Sequence, residues 1–431
     1  MRDDRGTLRD VRWRDIYSWL ALIGQSFRLA IAPRILLLAA LGLVATIAGW
    51  RVIGYLYTQA DSSFAETHDA DPPWPWEYQP ADRLTGDAAA LPATVGPIQL
   101  LSDTLAGRRA DPFLDAWEKL SRTFRHMFED DRPLSGFTYL LLCSLWTLAI
   151  WSFFGGAITR IAALSLTRED HLGMMGGLRY ARSKWADYFM GPMFPLIGAF
   201  LATLPIALFG LLLRADVGVL IAGFLWPVVI AAGFVLAILL VVLVFGWPLM
   251  WGTISTEGTD SFDALSRSYA YVYQRPLQYF LYVIAAAIVG ILGYVVVWLF
   301  THATVELGWW AVSWGSGLNE MHDVQQEIVR RAKSDSFGIG VQVIRFWIGC
   351  VWTLAIAYSF SFFWSASTAI YLLLRWHVDQ TELDEIALGE DDTMFGLPPL
   401  KADPAGVPSV VDVPPVGPES GAPRPGEQGP L

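Results

Sequence analysis

The sequence predicts an all-α protein: a polytopic transmembrane helix bundle of about six spans, with interfacial amphipathic helices and a disordered C-terminal tail. Three observations support this fold class. Only 16% of the 431 residues are charged and 54% are hydrophobic, whereas about 25% of an ordinary soluble domain is charged. Several uncharged apolar runs reach the roughly 18 residues that a bilayer crossing needs. Twenty tryptophans and fifteen tyrosines are typical of aromatic belts at the two membrane interfaces.

The N-terminal segment, residues 1–34, combines seven arginines and no lysine with regularly spaced apolar residues, and Pro33 ends it. This pattern predicts a basic amphipathic helix on the cytoplasmic leaflet, where anionic lipid headgroups attract it. A secretory signal peptide is the alternative. The charged region is too long for one, and no small-residue cleavage site follows, so we expect the segment to be retained.

The transmembrane bundle is expected over residues 35–375. Gly155 and Gly156 predict a close helix contact, because small residues let two backbones approach each other. The uncharged run 217–255 leaves open whether it crosses once or twice, since it exceeds one crossing and is short for two. We predict one crossing, preceded by a half-helix or kink around Gly223 and Pro227. The six predicted spans are 35–57, 137–161, 192–213, 228–251, 277–300 and 339–374.

Two extracytoplasmic loops, 58–133 and 301–337, separate some of these spans. The first contains a segment without regular helix around Trp74 and Trp76, and a short predicted helix at 97–105. Pro112 then begins an amphipathic helix that we expect to pack on the membrane-facing ends of the spans. Its apolar face consists of Phe113, Trp117, Leu120, Phe124 and Met127. The sequence of the second loop predicts a short helix in which Met321, Val324 and Ile328 lie on one face.

The polar stretch 255–279 lies between two apolar runs and predicts another helix at the membrane surface. Asp260 is placed to cap this helix, which then begins near Ser261. Asp263 and Arg267 are spaced as an i,i+4 ion pair, and Pro276 ends the helix. The predicted apolar face consists of Phe262, Leu265, Tyr269, Val272 and Tyr273.

A similar basic and aromatic segment begins at Leu178, so three such helices are predicted on one face of the membrane. The pentapeptide WTLAI occurs at 146–150 and again at 352–356, each shortly after a cysteine. The repeat indicates an internal duplication or a chance match between apolar segments, and the sequence leaves both open.

Basic residues predict the orientation of the bundle. The segments 1–34, 160–190 and 253–276 hold seven, five and two, whereas 214–216 and 301–338 hold one and three. We therefore expect both termini in the cytoplasm and the protein in the cell inner (cytoplasmic) membrane. The tail, 376–431, is acidic and then rich in proline, which predicts disorder.

No motif in the sequence assigns a catalytic, cofactor-binding or metal-binding residue. A Walker A loop, a G-x-S-x-G elbow and an H-E-x-x-H pair are missing. Cys143 and Cys350 lie in apolar runs and predict buried thiols rather than a disulfide. The six histidines are scattered, and the loop residues His68 and His322 beside carboxylates are better explained by solvation than by metal binding. The net charge of −11 argues against a nucleic-acid partner.

The stretches GGAITRIAALSLTRED, from Gly155, and TEGTDSFDALSRSYAYVYQRP, from Thr256, resemble a family of uncharacterised bacterial multi-pass inner-membrane proteins. The resemblance implies the same fold and location and no particular activity. We expect a non-enzymatic scaffold or interaction protein, and a transporter or lipid-handling protein is the alternative. The expected partners are anionic headgroups, at the arginines and lysines of the cytoplasmic helices, and a protein that binds the proline-rich tail.

Overall fold

The computed structural model describes most of the helical part of the chain. The described residues are 13–60, 72–77, 112–126, 134–167, 172–317, 324–325, 328, 336–383, 385–387, 400–402 and 408–410. Their α-helices are α1 Trp13–Ala30, α2 Pro33–Ala60, α3 Pro112–His126, α4 Leu134–Thr167, α5 Met174–Ser183, α6 Trp185–Phe209, α7 Asp216–Glu257, α8 Ser261–Gln274, α9 Pro276–Ser316 and α10 Ser336–Asp379. Two 3-10 turns, Pro75–Glu77 and Gly210–Arg214, complete this part.

Six of these helical segments are long and apolar enough to cross a membrane. They are Pro33–Ala60, Ser135–Thr167, Trp185–Arg214, Asp216–Val241, Pro276–Ser316 and Ser336–Asp379. Each exceeds the roughly 20 apolar residues that span a hydrocarbon core of about 30 Å. The predicted class, a polytopic helical membrane protein with six spans, is confirmed.

Helix α10 is the centre of the bundle and packs against α1, α2, α3, α4, α7 and α9. Every residue from Ala357 to Arg375 is buried, and small residues such as Ser361 and Ala366 alternate with aromatic rings. A helix that is buried on all sides belongs to the interior. The remaining helices are therefore arranged around this segment.

Helix α7 corrects the prediction for the run 217–255. It is one uninterrupted helix of 42 residues that passes through Pro227 and Pro248, and it is about 63 Å long at 1.5 Å per residue. The predicted half-helix before a span at 228–251 is wrong, and the candidate span is Asp216–Val241. The apolar run is long because its second part is buried by neighbouring helices instead of lipid.

Two other boundaries differ from the prediction. Helix α9 continues to Ser316 and α10 begins at Ser336, so the predicted loop 301–337 is helical at its beginning. The predicted helix at 97–105 lies outside the described residues, as do most residues of the one around Met321. The amphipathic helix that begins at Pro112 is confirmed, because α3 spans Pro112–His126.

The N-terminal helix packs against other helices, which the sequence did not predict. Helix α1 packs against α9 and α10, and Ile23 and Ser26 have no exposed surface. The Ser361 hydroxyl donates to the Ala30 carbonyl oxygen at 2.9 Å, and the Phe27 ring meets the Tyr358 ring edge-on. On the described part of α1, Leu22 and Ile23 are buried, whereas Leu20 is 42% exposed.

The prediction of a disordered tail over 376–431 is wrong at its beginning. Helix α10 extends to Asp379, and the segment 385–387 forms hydrogen bonds with the bundle. Residues 388–431 form a separate unit, in which Leu400–Ala402 and Pro408–Val410 pair as two antiparallel strands, β1 and β2, with Lys401 opposite Ser409. The other residues of the predicted tail lie outside the described part.

Candidate functional site: the junction at one end of the bundle

The ends of α4, α7 and α10 meet the beginning of α6 in a buried cluster that we call the junction. Its apolar part is a group of tryptophans. The Trp251 and Trp364 rings stack with centroids 4.1 Å apart and 10° between their planes. Trp247 meets both rings edge-on, and Trp151 lies 6.2 Å from Trp364. Such aromatic contacts add about 0.5–1.5 kcal/mol per pair to the burial of the rings.

Gly155 and Gly156 make this packing feasible, as their predicted role requires. A Cβ atom at Gly155 would lie 2.6 Å from Trp251 and 2.9 Å from Trp364, and one at Gly156 would lie 2.7 Å from Tyr188. Carbon atoms do not approach so closely without displacement. The prediction of a close helix contact at this glycine pair is confirmed, and its partners are three aromatic side chains.

A chain of buried hydroxyl groups lies beside the rings. The Tyr188 hydroxyl is 2.7 Å from the Ser255 hydroxyl, and Ser255 donates to the Thr159 hydroxyl at 2.6 Å. All three residues are fully buried. The Trp251 indole donates to the Tyr188 carbonyl oxygen at 2.9 Å. These bonds satisfy polar groups whose burial is otherwise costly, and they join α4, α6 and α7.

Glu257, the last residue of α7, binds side chains from two other helices. Its carboxylate is 2.7 Å from the Arg267 guanidinium and 3.5 Å from the Arg375 guanidinium. It also accepts a hydrogen bond from the Tyr371 hydroxyl at 2.5 Å. Arg267 therefore does not form the predicted i,i+4 pair with Asp263. Arg267 pairs with Glu257 instead of Asp263, because the neighbours of the Glu257 carboxylate shield it from water and strengthen the attraction.

Helix α8 begins as predicted. The Asp260 carboxylate accepts hydrogen bonds from the backbone N–H groups of Phe262 and Asp263, at 3.1 and 2.9 Å, and α8 starts at Ser261. On the predicted apolar face, Leu265, Tyr269 and Val272 pack against the buried core. Phe262 and Tyr273 are exposed, by 68% and 81%. The buried residues of α8 include Ala264, Ser268 and Tyr271, and the Tyr271 ring lies 5.8 Å from the Tyr371 ring of α10.

Three side chains of α8 have altered proton affinities. Burial raises the pKa of Tyr269 to about 12. Burial, together with the hydrogen bond that the Tyr271 hydroxyl donates to Asp379, raises the pKa of Tyr271 well above its usual value. Burial lowers the pKa of Arg267, but the Glu257 charge together with the Tyr371 and Tyr271 side chains outweighs this effect, and the pKa is raised. Neutral tyrosines and a charged arginine are thus fixed at this end of the bundle.

Arg160 lies at the centre of the polar contacts and is fully buried. Its guanidinium donates to the Ser255 carbonyl oxygen at 2.7 Å and to the Ala387 carbonyl oxygen at 2.9 Å, and it lies 4.2 Å from the centre of the Tyr180 ring. The Tyr180 hydroxyl donates to the Ile254 carbonyl oxygen at 2.8 Å. Arg160 thereby connects α4, α5, α7 and the segment that follows α10.

Helix α3 packs against α10 and α7 away from the polar contacts of the junction. Its Phe113 ring lies 5.1 Å from Phe363 of α10, and its Trp117 ring lies 6.0 Å from Phe245 of α7. The Trp247 ring of α7 also packs on Phe363. Helix α3 and the second half of α7 therefore share one surface of α10. The charged residues of α3, which include the Asp115–Lys119 pair at 2.6 Å, lie on its other side.

The sequence assigned no site residue, and within the described residues the structure holds no cluster of three or more metal-ligating side chains. His302 stacks on Trp298, and His377 contacts Tyr282, whereas His68, His171 and His322 lie outside the described part. Cys143 and Cys350 are free thiols. The sequence analysis did not single out Glu257 or Arg375. A single carboxylate that ends a 40-residue stretch without charge could have indicated such a role.

The six spans and the junction define a multi-pass α-helical membrane protein. Comparisons with protein-family models, with curated proteins and with solved structures find no match to this chain.

Proposed function

We propose that the protein is a non-enzymatic scaffold of the cell inner (cytoplasmic) membrane. One observation carries the proposal: the charged side chains of the junction bind one another and main-chain carbonyl groups that belong to different helices. Such an arrangement fixes the relative positions of helices. A catalytic or transport site would instead direct its ionisable groups towards a substrate.

The proposed orientation places the junction and both termini in the cytoplasm. The described contacts support a common side for these segments, because Arg34 donates to the Leu172 carbonyl oxygen at 2.9 Å and Arg160 reaches both α7 and Ala387. The segments on this side hold most of the basic residues that flank the spans, as the positive-inside rule requires.

Two partners fit this orientation. Arg28, Arg179, Arg182 and Arg275 are exposed on or beside helices at this end, where the proposed partners are the anionic headgroups of the cytoplasmic leaflet. The proline-rich part of the tail, which has ten prolines from Pro398 to Pro430, is the proposed binding segment for another protein. The resemblance to bacterial inner-membrane proteins agrees with this location.

The scaffold role is tested by cross-linking in intact membranes. A chain with an N-terminal affinity tag is compared with a variant that ends after Ala387, which keeps the whole first unit. We expect the full chain to yield a discrete set of cross-linked proteins, and the shortened chain, at equal membrane abundance, to lose them. Identical cross-linked proteins from both chains would contradict the role of the tail.

A transporter or lipid-handling protein is the second candidate, and helix α3 favours it. Helix α3 packs its Trp117 ring beside Phe245 of α7, and α7 in turn meets α9 through side chains. Aromatic side chains bridge the two helices at Phe245 and Phe280, 5.4 Å apart. An amphipathic helix that lies beside apolar spans, with its charged residues on the other side, suits an amphiphile with a polar head and an apolar tail. Fluorescent-lipid transbilayer movement in proteoliposomes, compared between the wild type and Lys119→Gln, tests this candidate.

A further inference from the structure

Helix α3 reaches into the middle of two long helices. Its first residue, Pro112, is buried, and a Cβ atom added to Gly290 of α9 would lie 3.4 Å from the proline ring. The neighbouring Phe113 ring lies 5.1 Å from the Phe363 ring of α10. At 1.5 Å per residue, Gly290 and Phe363 are each about 40 Å from the end of their helix that lies farther from the junction. The beginning of α3 is therefore deep within the bundle.

The rest of α3 extends away from the junction. Phe124, in its last turn, packs with Tyr139 and Cys143, which belong to the first three turns of α4. Because α4 ends at the junction, this contact lies towards the opposite end of the bundle. Helix α3 is about 22 Å long, so its charged residues lie at levels between the middle of α9 and α10 and their outer ends.

The outer ends of α9 and α10, beyond this level, have apolar surfaces. Leu307 and Trp314 lie near the end of α9, and Ile339 and Trp347 lie near the beginning of α10. Each of these four side chains is more than half exposed. An apolar and aromatic surface that continues over two candidate spans matches the hydrocarbon and the interface of a membrane. The membrane therefore extends farther from the junction than the charged residues of α3.

One face of α3 is charged and uncovered at this depth. The charged groups of Glu118 and Arg125 are 3.6 Å apart, and these side chains are 61% and 59% exposed. Lys119 is 43% exposed. The Arg122 guanidinium lies 3.3 Å from the His126 Nε2 atom, and among the described residues no carboxylate pairs with it. Ion pairing within α3 thus leaves most of this charged surface open to its surroundings.

These surroundings must contain water. Charged side chains are costly in hydrocarbon, and at membrane depth they face a water-filled cavity or the interior of a bundle. The apolar side of α3 already packs on the bundle through Phe113 and Trp117, so its charged side faces away from these contacts. A polar surface at this depth is stable where it lines a water-filled space.

We propose that α3 is a re-entrant helix whose charged face lines a water-filled vestibule, which opens at the end of the bundle opposite the junction. The vestibule admits small hydrophilic solutes to the middle of the bundle. The contacts of Phe113 with Phe363 and of Trp117 with Phe245 close it towards the junction.

The vestibule is independent of the scaffold proposal, whose test concerns residues after Ala387. It is also independent of lipid movement, because a vestibule can hold water without transporting an amphiphile. The test below measures access of water to single positions and requires neither a partner protein nor transport. Its failure is therefore distinguishable from a failure of either candidate function.

The test is the reaction of single cysteines with a membrane-impermeant, cationic methanethiosulfonate in native membranes. Cys143 and Cys350 are first replaced by alanine, and Glu118→Cys or Val235→Cys is then introduced. Val235 is the matched control, because it is similarly exposed but belongs to the apolar outer part of α7. We expect Glu118→Cys to react at least about tenfold faster than Val235→Cys, since the charged reagent does not enter hydrocarbon.

Sealed vesicles of both orientations show on which side the vestibule opens. Ser316→Cys, at the exposed end of α9, and Asp263→Cys, at the exposed beginning of α8, mark the two sides. We expect Glu118→Cys to react from the side that modifies Ser316→Cys. Reaction only from the side that modifies Asp263→Cys would overturn the proposal.

Equal reaction rates of Glu118→Cys and Val235→Cys also overturn the proposal, because the two positions would then have the same surroundings. If Glu118→Cys lowers the yield of folded protein, Ser121→Cys replaces it. Ser121 is half-buried, lies on the same face as Glu118 at a spacing of i,i+3, and differs from cysteine by one atom. It should react from the same side and faster than Val235→Cys, and a failure to do so counts equally against the vestibule.

Discussion

The two halves of helix α7 belong to one uninterrupted helix but have different surroundings. In the outer half, 216–241, the buried residues are Gly218 and Ala222, and Phe224 is 81% exposed. In the inner half, 243–257, Trp251 and Ile254 have no exposed surface. The outer half contains no serine or threonine, whereas the inner half contains three such residues, Thr253, Ser255 and Thr256. Apolar content alone therefore does not distinguish an exposed helix from a protein-facing one, but buried hydroxyl groups mark the contact with protein.

A large loss of stability in the inner half is expected from Glu257→Gln. It preserves the shape of the side chain but leaves the guanidinium of Arg375, which is 9% exposed, without its carboxylate partner. Breaking a buried pair in this way costs about 3 kcal/mol, and the pair with Arg267, which is 44% exposed, adds little. We expect a clear fall of the Tm in detergent.

Asp263→Asn is the matched control, because it removes the same charge from an exposed position at the start of α8. Its effect should be below about 0.5 kcal/mol. If the Glu257→Gln and Asp263→Asn variants have the same Tm, the junction does not depend on the Glu257 carboxylate.

A smaller loss is expected from Gly155→Ala, which inserts one methyl group between Trp251 and Trp364. Overpacking of this kind costs about 1–3 kcal/mol. The control is Gly233→Ala in the outer half of α7, where an added Cβ atom would meet nothing within 4 Å. Alanine should be neutral or stabilising there, because glycine lowers helix stability. Thermal unfolding of both variants measures this difference, and equal melting temperatures for the two variants would contradict the prediction.

Local signals in the sequence predicted local structure well. The Asp260 cap and Pro112 placed the starts of α8 and α3 to within a residue, since both depend on neighbouring residues. Burial was harder to predict. Periodicity identified α1 as an amphipathic helix. It did not identify the helices against which α1 packs, because α9 and α10 are distant from it in sequence. The same limitation explains why the partners of Arg267 and Arg160, which lie in other elements, were missed.

The boundary between the two halves of α7 is sensitive to alkaline pH. The Tyr269 hydroxyl donates to the Leu239 carbonyl oxygen at 3.0 Å, and the pKa of Tyr269 is raised from 10 to about 12. The folded protein therefore retains a proton that the unfolded chain loses above pH 10. By linkage, this group's contribution to stability is fully present below pH 10 and is lost as the pH rises towards 12.

The Tyr269→Phe variant should consequently show a shallower loss of stability between pH 10 and 12 than the wild type. Denaturation in mixed micelles at several pH values measures the two slopes. Tyr273→Phe is the control, because Tyr273 is 81% exposed. It should follow the wild type, and parallel curves for all three proteins would show that Tyr269 ionises freely in the folded state.

The smallest effect is expected at Phe224, where the surroundings of the outer half are tested directly. If lipid or detergent alone surrounds this ring, Phe224→Ala exchanges one apolar contact with solvent hydrocarbon for another and changes stability by less than about 0.5 kcal/mol. Leu249→Ala, in the inner half and 1% exposed, creates a cavity and should cost about 2–5 kcal/mol. A large effect of Phe224→Ala in native membranes that disappears in detergent would instead mean that another protein covers the outer half. The two halves of α7 would then differ only in which chain buries them.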